Sequence, residues 1–346
     1  MASTPAPGTF SQFGRKYQLV VQSEAGEIDL SHMRFRFKVN SSDVRSPNNA
    51  EITITNLSDN TTNQIQNEFT KVRLAAGYQH GAYGTIFSGD ICQIGRGKEN
   101  ATDKFLRIVA ADGDAAHNFA IINKSLVKGS KPMAVVSALA AAMAPFGVTM
   151  GQIQGLADYA LPRGKVMYGM VRDYLDDLCK TNGTTWSIQN GALTILPNGG
   201  SASDQAPIVL NSQTGMVGIP TQTEGGVKVR CLLNPNIVIG STLQLNNSDI
   251  AQTINVNPIA STGGFTIGKN AKTIGGAGAA PLPNLSSDGF YRVMAIEATG
   301  DTRGNDWFYD MITIGTGASL GTTAGFQKFG PLGNNGAPAS PPPPAG

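Results

Sequence analysis

Short stretches in which apolar and polar residues alternate recur along the first third of the chain. In the clearest of them, residues 33–39, four apolar side chains alternate with the basic residues Arg34, Arg36 and Lys38. A period of two is typical of a half-buried β-strand, with the apolar side chains on one face and the cations on the other. The three cations are interpreted as a solvated outer face or, less commonly, as a surface for an acidic partner.

Further segments with strand patterns lie between residues 17 and 111, at 17–21, 28–30, 51–57, 72–78, 85–91 and 105–111. Ser58 and Asp59 are good N-cap residues, so a short helix is predicted over residues 61–69. Short strands at this regular spacing predict a closed or nearly closed β-barrel. We place this first β-barrel at residues 15–126, after an extended N-terminal arm at residues 1–14.

The apolar spacing changes to a helical period near Gly129. A helix with one buried face is predicted over residues 131–144, with Ser130 as its cap, from three apolar residues spaced four apart, namely Val135, Leu139 and Met143. A second helix is predicted over residues 167–181. The pair Asn190-Gly191 then predicts a hairpin with a type I′ turn. Together these elements predict a small α/β domain at residues 127–200.

Strand patterns return in the last third of the chain, at residues 227–233, 290–300 and 308–313. They predict a second β-barrel over residues 201–320, interrupted by a long loop insertion at about residues 246–286. Residues 321–346 include four consecutive prolines near their end and predict an extended or disordered tail. If the chain assembles with copies of itself, we expect that deleting residues 330–346 leaves this assembly intact. The predicted fold class is therefore mainly β, with a small α/β insert and two related β-barrels in tandem.

Composition narrows the classes of function. Only 14% of the residues are charged, against about 25% in ordinary soluble proteins, and 42 residues are glycine. This composition is typical of β-rich proteins whose surfaces are covered by neighbours. The net charge of +2 gives no electrostatic footprint for specific nucleic-acid binding. The N-terminal residues have no signal-peptide pattern, and no apolar stretch is long enough to predict a membrane span.

The sequence contains no recognisable pattern for a catalytic, cofactor or metal site. Cys92, Cys179 and Cys231 lie far apart without metal-site spacing, which predicts reduced thiols and a reducing compartment. No P-loop, dinucleotide fingerprint or Gly-x-Ser-x-Gly elbow occurs. We therefore predict a protein that is not an enzyme and binds no cofactor. The alternatives are a cell-wall hydrolase, which needs a pair of carboxylates at a cleft, and a barrel module that binds sugar or nucleic acid.

The run Gly-Asp-Thr-Arg-Gly-Asn-Asp-Trp at residues 300–307 is the most conspicuous candidate site. Asp and Asn flanked by Gly are typical of a tight turn between strands, which explains the run better than a substrate or metal site does. Asp301 is expected to cap backbone amides and to pair with Arg303. Trp307 is interpreted as either an interface anchor or a core residue. We predict a protein interface at Asp301, Arg303, Asp306 and Trp307, together with the three cations of residues 34–38.

Three groups of segments, taken in order, resemble the baseplate hub proteins of contractile-tailed bacteriophages. They are residues 54–58 with 72–78 and 86–91, then 215–220 with 226–235 and 240–241, and finally 291–293 with 300–307. The resemblance extends over residues 15–320. The long insertion at 246–286 departs from the pattern and leaves the closure of the second barrel open.

This resemblance implies a structural subunit rather than a reactive one. The resemblance implies a trimer in which each chain contributes two related barrels. Three chains would then present six barrels to a sixfold tail tube. They join that tube to a threefold central spike. The expected partners are sister copies, the tail tube or a tube-initiator protein, the spike, and also tape-measure and wedge proteins. The expected location is the tail baseplate of the virion, assembled in the host cytoplasm.

Overall fold

The structure is a computed structural model, and it describes residues 12–23, 26–198, 206–223, 226–246, 250 and 289–316. The predicted N-terminal arm up to residue 11, most of the predicted loop at 246–286, and the predicted tail at 321–346 lie outside the described residues. None of the described helices is long and apolar enough to span a membrane.

Seven antiparallel strands form the N-terminal β unit, in the spatial order β2-β1-β5-β6-β7-β4-β3. Their bounds are β1 Arg15–Ser23, β2 Gly26–Asp29, β3 Phe35–Ser42, β4 Asn49–Thr55, β5 Lys71–Tyr78, β6 Tyr83–Lys98 and β7 Lys104–Ala111. The alternation in β3 is confirmed, because Phe35, Phe37 and Val39 are buried while the side chains between them face outward. In β3, the apolar positions of the alternating sequence pattern are therefore the ones that are buried.

Helix α1, Asp59–Glu68, connects β4 to β5 and begins two residues before the predicted start at residue 61. Ser58 is its N-cap, and the Ser58 hydroxyl accepts a hydrogen bond from the Thr61 amide at 3.1 Å. This bond satisfies one of the amides that a helix start leaves unpaired. The helix buries Ile65 against the core of the β unit.

The α/β insert follows β7 and has an apolar core of its own, from Ala116 to Ile195. Its elements are α2 Asp114–Phe119, β8 Ile121–Leu126, α3 Pro132–Met143, a 3₁₀ turn Ala144–Phe146, β9 Thr149–Ile153, β10 Lys165–Met170, α4 Val171–Asn182, β11 Thr184–Gln189 and β12 Ala192–Pro197. Strands β8 and β10 pair as an isolated two-stranded sheet. Strands β11, β12 and β9 form a second small sheet, in which β9 runs parallel to β12.

Two predictions for the insert are wrong. Ser130 does not cap α3, because its hydroxyl donates to the Val127 carbonyl at 2.8 Å and the helix begins after Lys131 with Pro132 in its first turn. The second helix does not begin at residue 167, because residues 165–170 pair with β8 and form β10. Pairing with a partner strand overrides the helical spacing there, and α4 begins only at Val171.

The predicted hairpin turn is confirmed. Asn190 and Gly191 have positive φ values of 53° and 77°, as a type I′ turn requires. The end of α4 is also as expected, since Gly183 adopts the left-handed conformation at its C-cap.

The C-terminal β unit contains β13 Ile208–Val209, β14 Thr221–Thr223, β15 Gly226–Leu232, β16 Thr242–Gln244, β17 Phe290–Asp301 and β18 Trp307–Gly315. Its strands lie in the order β14-β15-β18-β17, with β16 paired to β17 and β13 paired to β16. The two long strands β17 and β18 form its centre.

The two β units are joined edge to edge. Strand β3 pairs with β17 over seven residue pairs, from Ser42 opposite Ala295 to Arg36 opposite Asp301. The described strands of both units thus form one 13-stranded sheet and share one apolar core. The predicted fold class, mainly β with a small α/β insert, is confirmed. That the two units are related β-barrels stays a prediction, and their described strands are continuous in one sheet.

Candidate assembly surface

The turn between β17 and β18 carries the candidate residues 301–307. The Asp301 amide donates to the Asp306 carbonyl at 2.9 Å, and the Asp301 carboxylate accepts from the Arg303 amide at 2.9 Å. The expected capping by Asp301 is therefore present. The expected ion pair is wrong, because the guanidinium on Asp301 belongs to Arg34, at 2.8 Å. Arg34 lies just before β3, and the β3–β17 pairing brings it beside this turn.

The Asp301 carboxyl is nearly buried but remains an anion. Burial alone opposes its ionisation, but the hydrogen bonds from Arg34 and from the amides of Arg303 and Gly304 outweigh that effect and hold its pKa below the ordinary value. The Asp301 carboxylate therefore stabilises the turn as an anion, through the hydrogen bonds that it accepts.

Arg15 also fastens this turn, and sequence reasoning missed it. Its guanidinium donates to the carbonyls of Asp301, Gly304 and Asn305 at 2.9, 2.6 and 3.1 Å. The same group lies 5.2 Å from the centre of the Trp307 ring, in cation–π geometry. No local sequence pattern predicts this contact, because Arg15 and Asp301 are 286 residues apart in the sequence.

Trp307 is a core residue, only 2% exposed. Its ring meets Phe37 edge to face at 5.5 Å and Tyr17 at 6.1 Å. The structure therefore supports the interpretation of Trp307 as a core residue. The side chains of Arg303 and Asp306 are exposed at the tip of that turn, and their role at an interface stays a prediction.

The cations of β3 are all paired within the chain. Arg36 contacts Glu99 at 2.8 Å and Lys38 contacts Glu297 at 3.0 Å, in addition to the pair of Arg34 with Asp301. This outer face is consequently a mixed-charge surface. As an interface it would suit a polar partner better than a strongly acidic one.

A buried ion pair lies where the insert meets the sheet. Arg292 of β17 is fully buried, and its guanidinium contacts the Asp43 carboxylate at 3.2 Å and donates to the carbonyl of Pro197, at the end of β12. Burial raises the pKa of Asp43 to about 6, and the nearby Arg292 charge opposes this rise. Burial likewise lowers the pKa of Arg292, against the effect of Asp43.

A second buried carboxylate, Asp112, holds the insert from the side of the N-terminal β unit. It accepts hydrogen bonds from the amides of Asn190 and of Gly191, the latter at 2.8 Å. Burial raises its pKa to about 6, opposed by those two bonds. Asn48 adds a bond of 2.9 Å to the Ile188 carbonyl. The type I′ turn is therefore the point at which the insert is attached.

A cavity of about 220 Å³ lies beside this attachment. It is lined by apolar side chains and by neutral polar ones such as Gln189, Asn190 and Ser41. Its lining, among the residues that the structure describes, includes no acidic residue, histidine or cysteine.

The part of the chain that the structure describes holds no metal-ligand cluster, and its three cysteines are free thiols. No group of three His, Cys, Asp or Glu residues suited to a metal occurs among the described residues. Cys179 and Cys231 are buried free thiols, as their apolar contexts predict, whereas Cys92 is exposed. Burial raises the pKa of the Cys231 thiol to about 12, which keeps it protonated and unreactive.

Comparison with known families gives a match over most of the chain. The sequence profile of the family described as Baseplate hub gp41 matches residues 18–269. No curated protein sequence matches this chain.

Solved structures share the fold. A tail protein from Neisseria meningitidis MC58 aligns with a TM-score of 0.51 at 11% identity, over 87% of this chain and 96% of that protein. The 43 kDa tail protein of prophage MuSo2 from Shewanella oneidensis aligns with a TM-score of 0.51 at 8% identity, over 87% and 97%.

A third similar structure is the E. coli c3393 protein. It is described as a type VI secretion system component with structural similarity to the T4 bacteriophage tail proteins gp27 and gp5. It aligns with a TM-score of 0.50 at 8% identity, over 82% of this chain and 73% of that protein. At these identities the likeness concerns the fold.

Proposed function

The chain belongs to the baseplate hub gp41 family, a structural component of the phage tail baseplate, and from that membership we propose that three copies form a hub at the tip of a contractile tail. The hub joins the sixfold tail tube to a threefold central spike. Its role is structural: it provides matching surfaces and catalyses no reaction. The low charge of the chain suits surfaces that neighbouring subunits cover.

The observation that carries the proposal is the edge-to-edge joint of the two β units. Strands β3 and β17 place the units side by side in one sheet, so each copy offers two β surfaces in a fixed relation. Three such copies around an axis present six β units. A ring of this kind meets a sixfold tube on one side and retains threefold symmetry for the spike on the other.

The proposed partners follow from that position. They are sister copies, the tail tube or its initiator protein, and the spike, with tape-measure and wedge proteins as further neighbours. The hub would assemble in the host cytoplasm, remain in the virion baseplate and hold the passage open for genome ejection.

The oligomeric state of the purified full-length chain tests this proposal. Mass photometry is expected to show a species at three times the 36.1 kDa mass of one chain. A protein that stays monomeric at micromolar concentration and does not bind purified tail-tube or spike protein would contradict the proposal. A zymogram on bacterial cell walls is expected to show no clearing; clearing would favour the cell-wall hydrolase instead.

A further inference from the structure

The two-stranded sheet β8–β10 presents an apolar face to solvent. Ile121, Val166 and Tyr168 are 62%, 72% and 76% exposed, although they are strand residues. In the register of the two strands they lie on one face, because Tyr168 is opposite Asn123 and Met170 is opposite Ile121. The opposite face carries Ile122 and packs into the insert core. An outward apolar row of this kind on a small sheet indicates a contact surface.

One edge of this sheet is closed and the other is open. The Tyr168 amide donates to the Tyr174 hydroxyl at 2.9 Å, so the backbone of β10 is satisfied at that point on its outer side. In an antiparallel pair, the residue opposite Tyr168 must also point its amide away from the partner strand. The backbone groups of Asn123 therefore face the free side of β8, where the described residues provide no further strand. Open edges of this kind accept an additional strand.

Unpaired cations lie on the open strand and in the turn that follows it. Lys124 of β8 and Lys128, two residues beyond the end of β8, are exposed, and neither has a carboxylate partner among the described residues. Their neighbours are paired, Lys131 with Asp158 at 2.9 Å and Lys165 with Asp177 at 3.6 Å. The open edge is therefore basic, and an acidic strand is the matching occupant.

The chain itself has an acidic strand with an open edge. Strand β2 ends the 13-stranded sheet and reads Gly-Glu-Ile-Asp. The Leu30 amide donates to the Leu19 carbonyl at 2.8 Å, which makes these residues a hydrogen-bonded pair. By the alternation of antiparallel ladders, the backbone groups of Glu27 and Asp29 then point away from β1, towards the open side.

We propose that β2 of one copy pairs with β8 of the next copy, so that an acidic sheet edge and a basic sheet edge form the contact between neighbouring subunits. This inference rests on the proposed oligomer and names the surfaces that build it. The two edges belong to different parts of the chain, so the contact is head to tail and generates a ring or a filament rather than a simple dimer.

The side chains of the two strands are compatible with this pairing. A parallel pairing with Ile28 opposite Ser125 uses the outward backbone groups of both strands and places Ile28 on the face of Ile121 and Tyr168. The same register places Glu27 opposite Lys124, with Asp29 on the same face. In its own chain, Ile28 packs against the edge of the large core. The apolar face of β8–β10 would therefore continue that core at its rim and be removed from water.

Charge exchange tests the contact. The variant E27K and the variant K124E/K128E are each expected to weaken the oligomer about tenfold or more, because like charges then face each other across the contact. The combined variant E27K/K124E/K128E is expected to recover the oligomer. Asp29 is left unchanged because its carboxylate binds Ser31. The matched control is K180E, which reverses an exposed lysine on the helical side of the same insert.

A covalent test uses the background C92S, which removes the exposed native thiol. The variant E27C/K124C is expected to form disulfide-linked dimers and trimers on a non-reducing gel, whereas each single cysteine is not. Recovery in the charge exchange together with cross-linking supports the proposal.

Three results would overturn the proposed contact. A trimer that forms equally well in all charge variants and does not cross-link would leave the proposed hub standing and eliminate this contact. An intact trimer in K124E/K128E that loses binding to another purified tail protein would assign the β8 edge to that protein. A wild-type chain that is monomeric would contradict both the contact and the proposed hub.

Discussion

The joint between the two β units and the joint between the sheet and the α/β insert are built from different interactions. The first is a backbone ladder between β3 and β17, closed at its end by Arg15 and Arg34 on the turn at Asp301. The second depends on a few buried polar side chains, chiefly Asp43 with Arg292 and Asp112 with the turn at Asn190. A ladder holds geometry regardless of side-chain charge, whereas the second joint depends on the ionisation of its members.

The difference would suit the proposed hub. In that hub the β units would have to keep one spacing to match the tube, and the backbone pairing of β3 with β17 would provide it. The insert, attached through carboxylates with a pKa raised to about 6, can respond to its surroundings. Changes directed at each joint separately test this comparison.

The largest effect is expected at the insert joint, from R292M. Removing the guanidinium leaves the Asp43 carboxylate buried without its partner, and loss of one member of a buried pair costs about 3–5 kcal/mol. Urea unfolding at pH 7.5 measures the loss. The control R230M removes the exposed pair with Asp310 and is expected to cost about 1 kcal/mol or less. Equal losses in the two variants would show that the buried pair is not what holds this joint.

A smaller effect is expected at the joint of the β units, from G300A. A Cβ atom at Gly300 would lie 2.3 Å from Phe37 and 2.9 Å from Trp307, so the aromatic cluster must shift, at a cost of about 1–3 kcal/mol. G95A is the matched control, because nothing lies within 4 Å of a Cβ there. We expect the control to stay within about 0.5 kcal/mol of the wild type. An unchanged G300A in the same urea experiment would argue against a tightly packed joint.

Acidification should strengthen the insert joint rather than weaken it. Asp43 and Asp112 have folded-state pKa values of about 6, above the unfolded value near 3.8, so the folded chain takes up protons first as the pH falls. From pH 7.5 to pH 5 each carboxyl is expected to add about 1 kcal/mol to the free energy of unfolding. The measurement is the change in the free energy of unfolding between pH 7.5 and pH 5, compared between the wild type and D43N/D112N. A wild type that loses stability relative to the double variant over this range would reverse the assigned sign.

The smallest effect is expected on the outer face of β3. R36Q and K38Q each remove a half-exposed ion pair, with Glu99 and Glu297 respectively, and such pairs contribute about 0.5 kcal/mol or less. Thermal unfolding is expected to place both variants close to the wild type. A large drop in either would mean that this face contributes to the β3–β17 joint through more than its backbone.

Local signals in the sequence predicted much of the fold. The alternation in β3, the Ser58 cap and the Asn190-Gly191 turn each depend on neighbouring residues, and each is confirmed. Strand β10 was mistaken for the start of a helix because its outward face is apolar, so its pattern does not report a buried side. That exception coincides with the proposed contact surface.

The contacts that define the candidate surface could not be predicted in the same way. Arg34 and Arg15 reach the turn at Asp301 only because β3 pairs with β17 and β1 lies nearby, and such partners are remote in sequence. Arg292 sits within a strand pattern that gives no sign of burial. Its partner Asp43 is 249 residues away. These contacts depend on which strands pair over long sequence distances. The spacing of apolar and polar residues within each segment does not show which strands will pair.

Cryo-electron microscopy of an intact tail tip would show the proposed hub itself. We expect three copies around the tail axis, with their six β units in one ring against the tube and β2 of each copy beside β8 of the next. A tip that contains a different number of copies, or one in which the two β units of a chain occupy different rings, would contradict it.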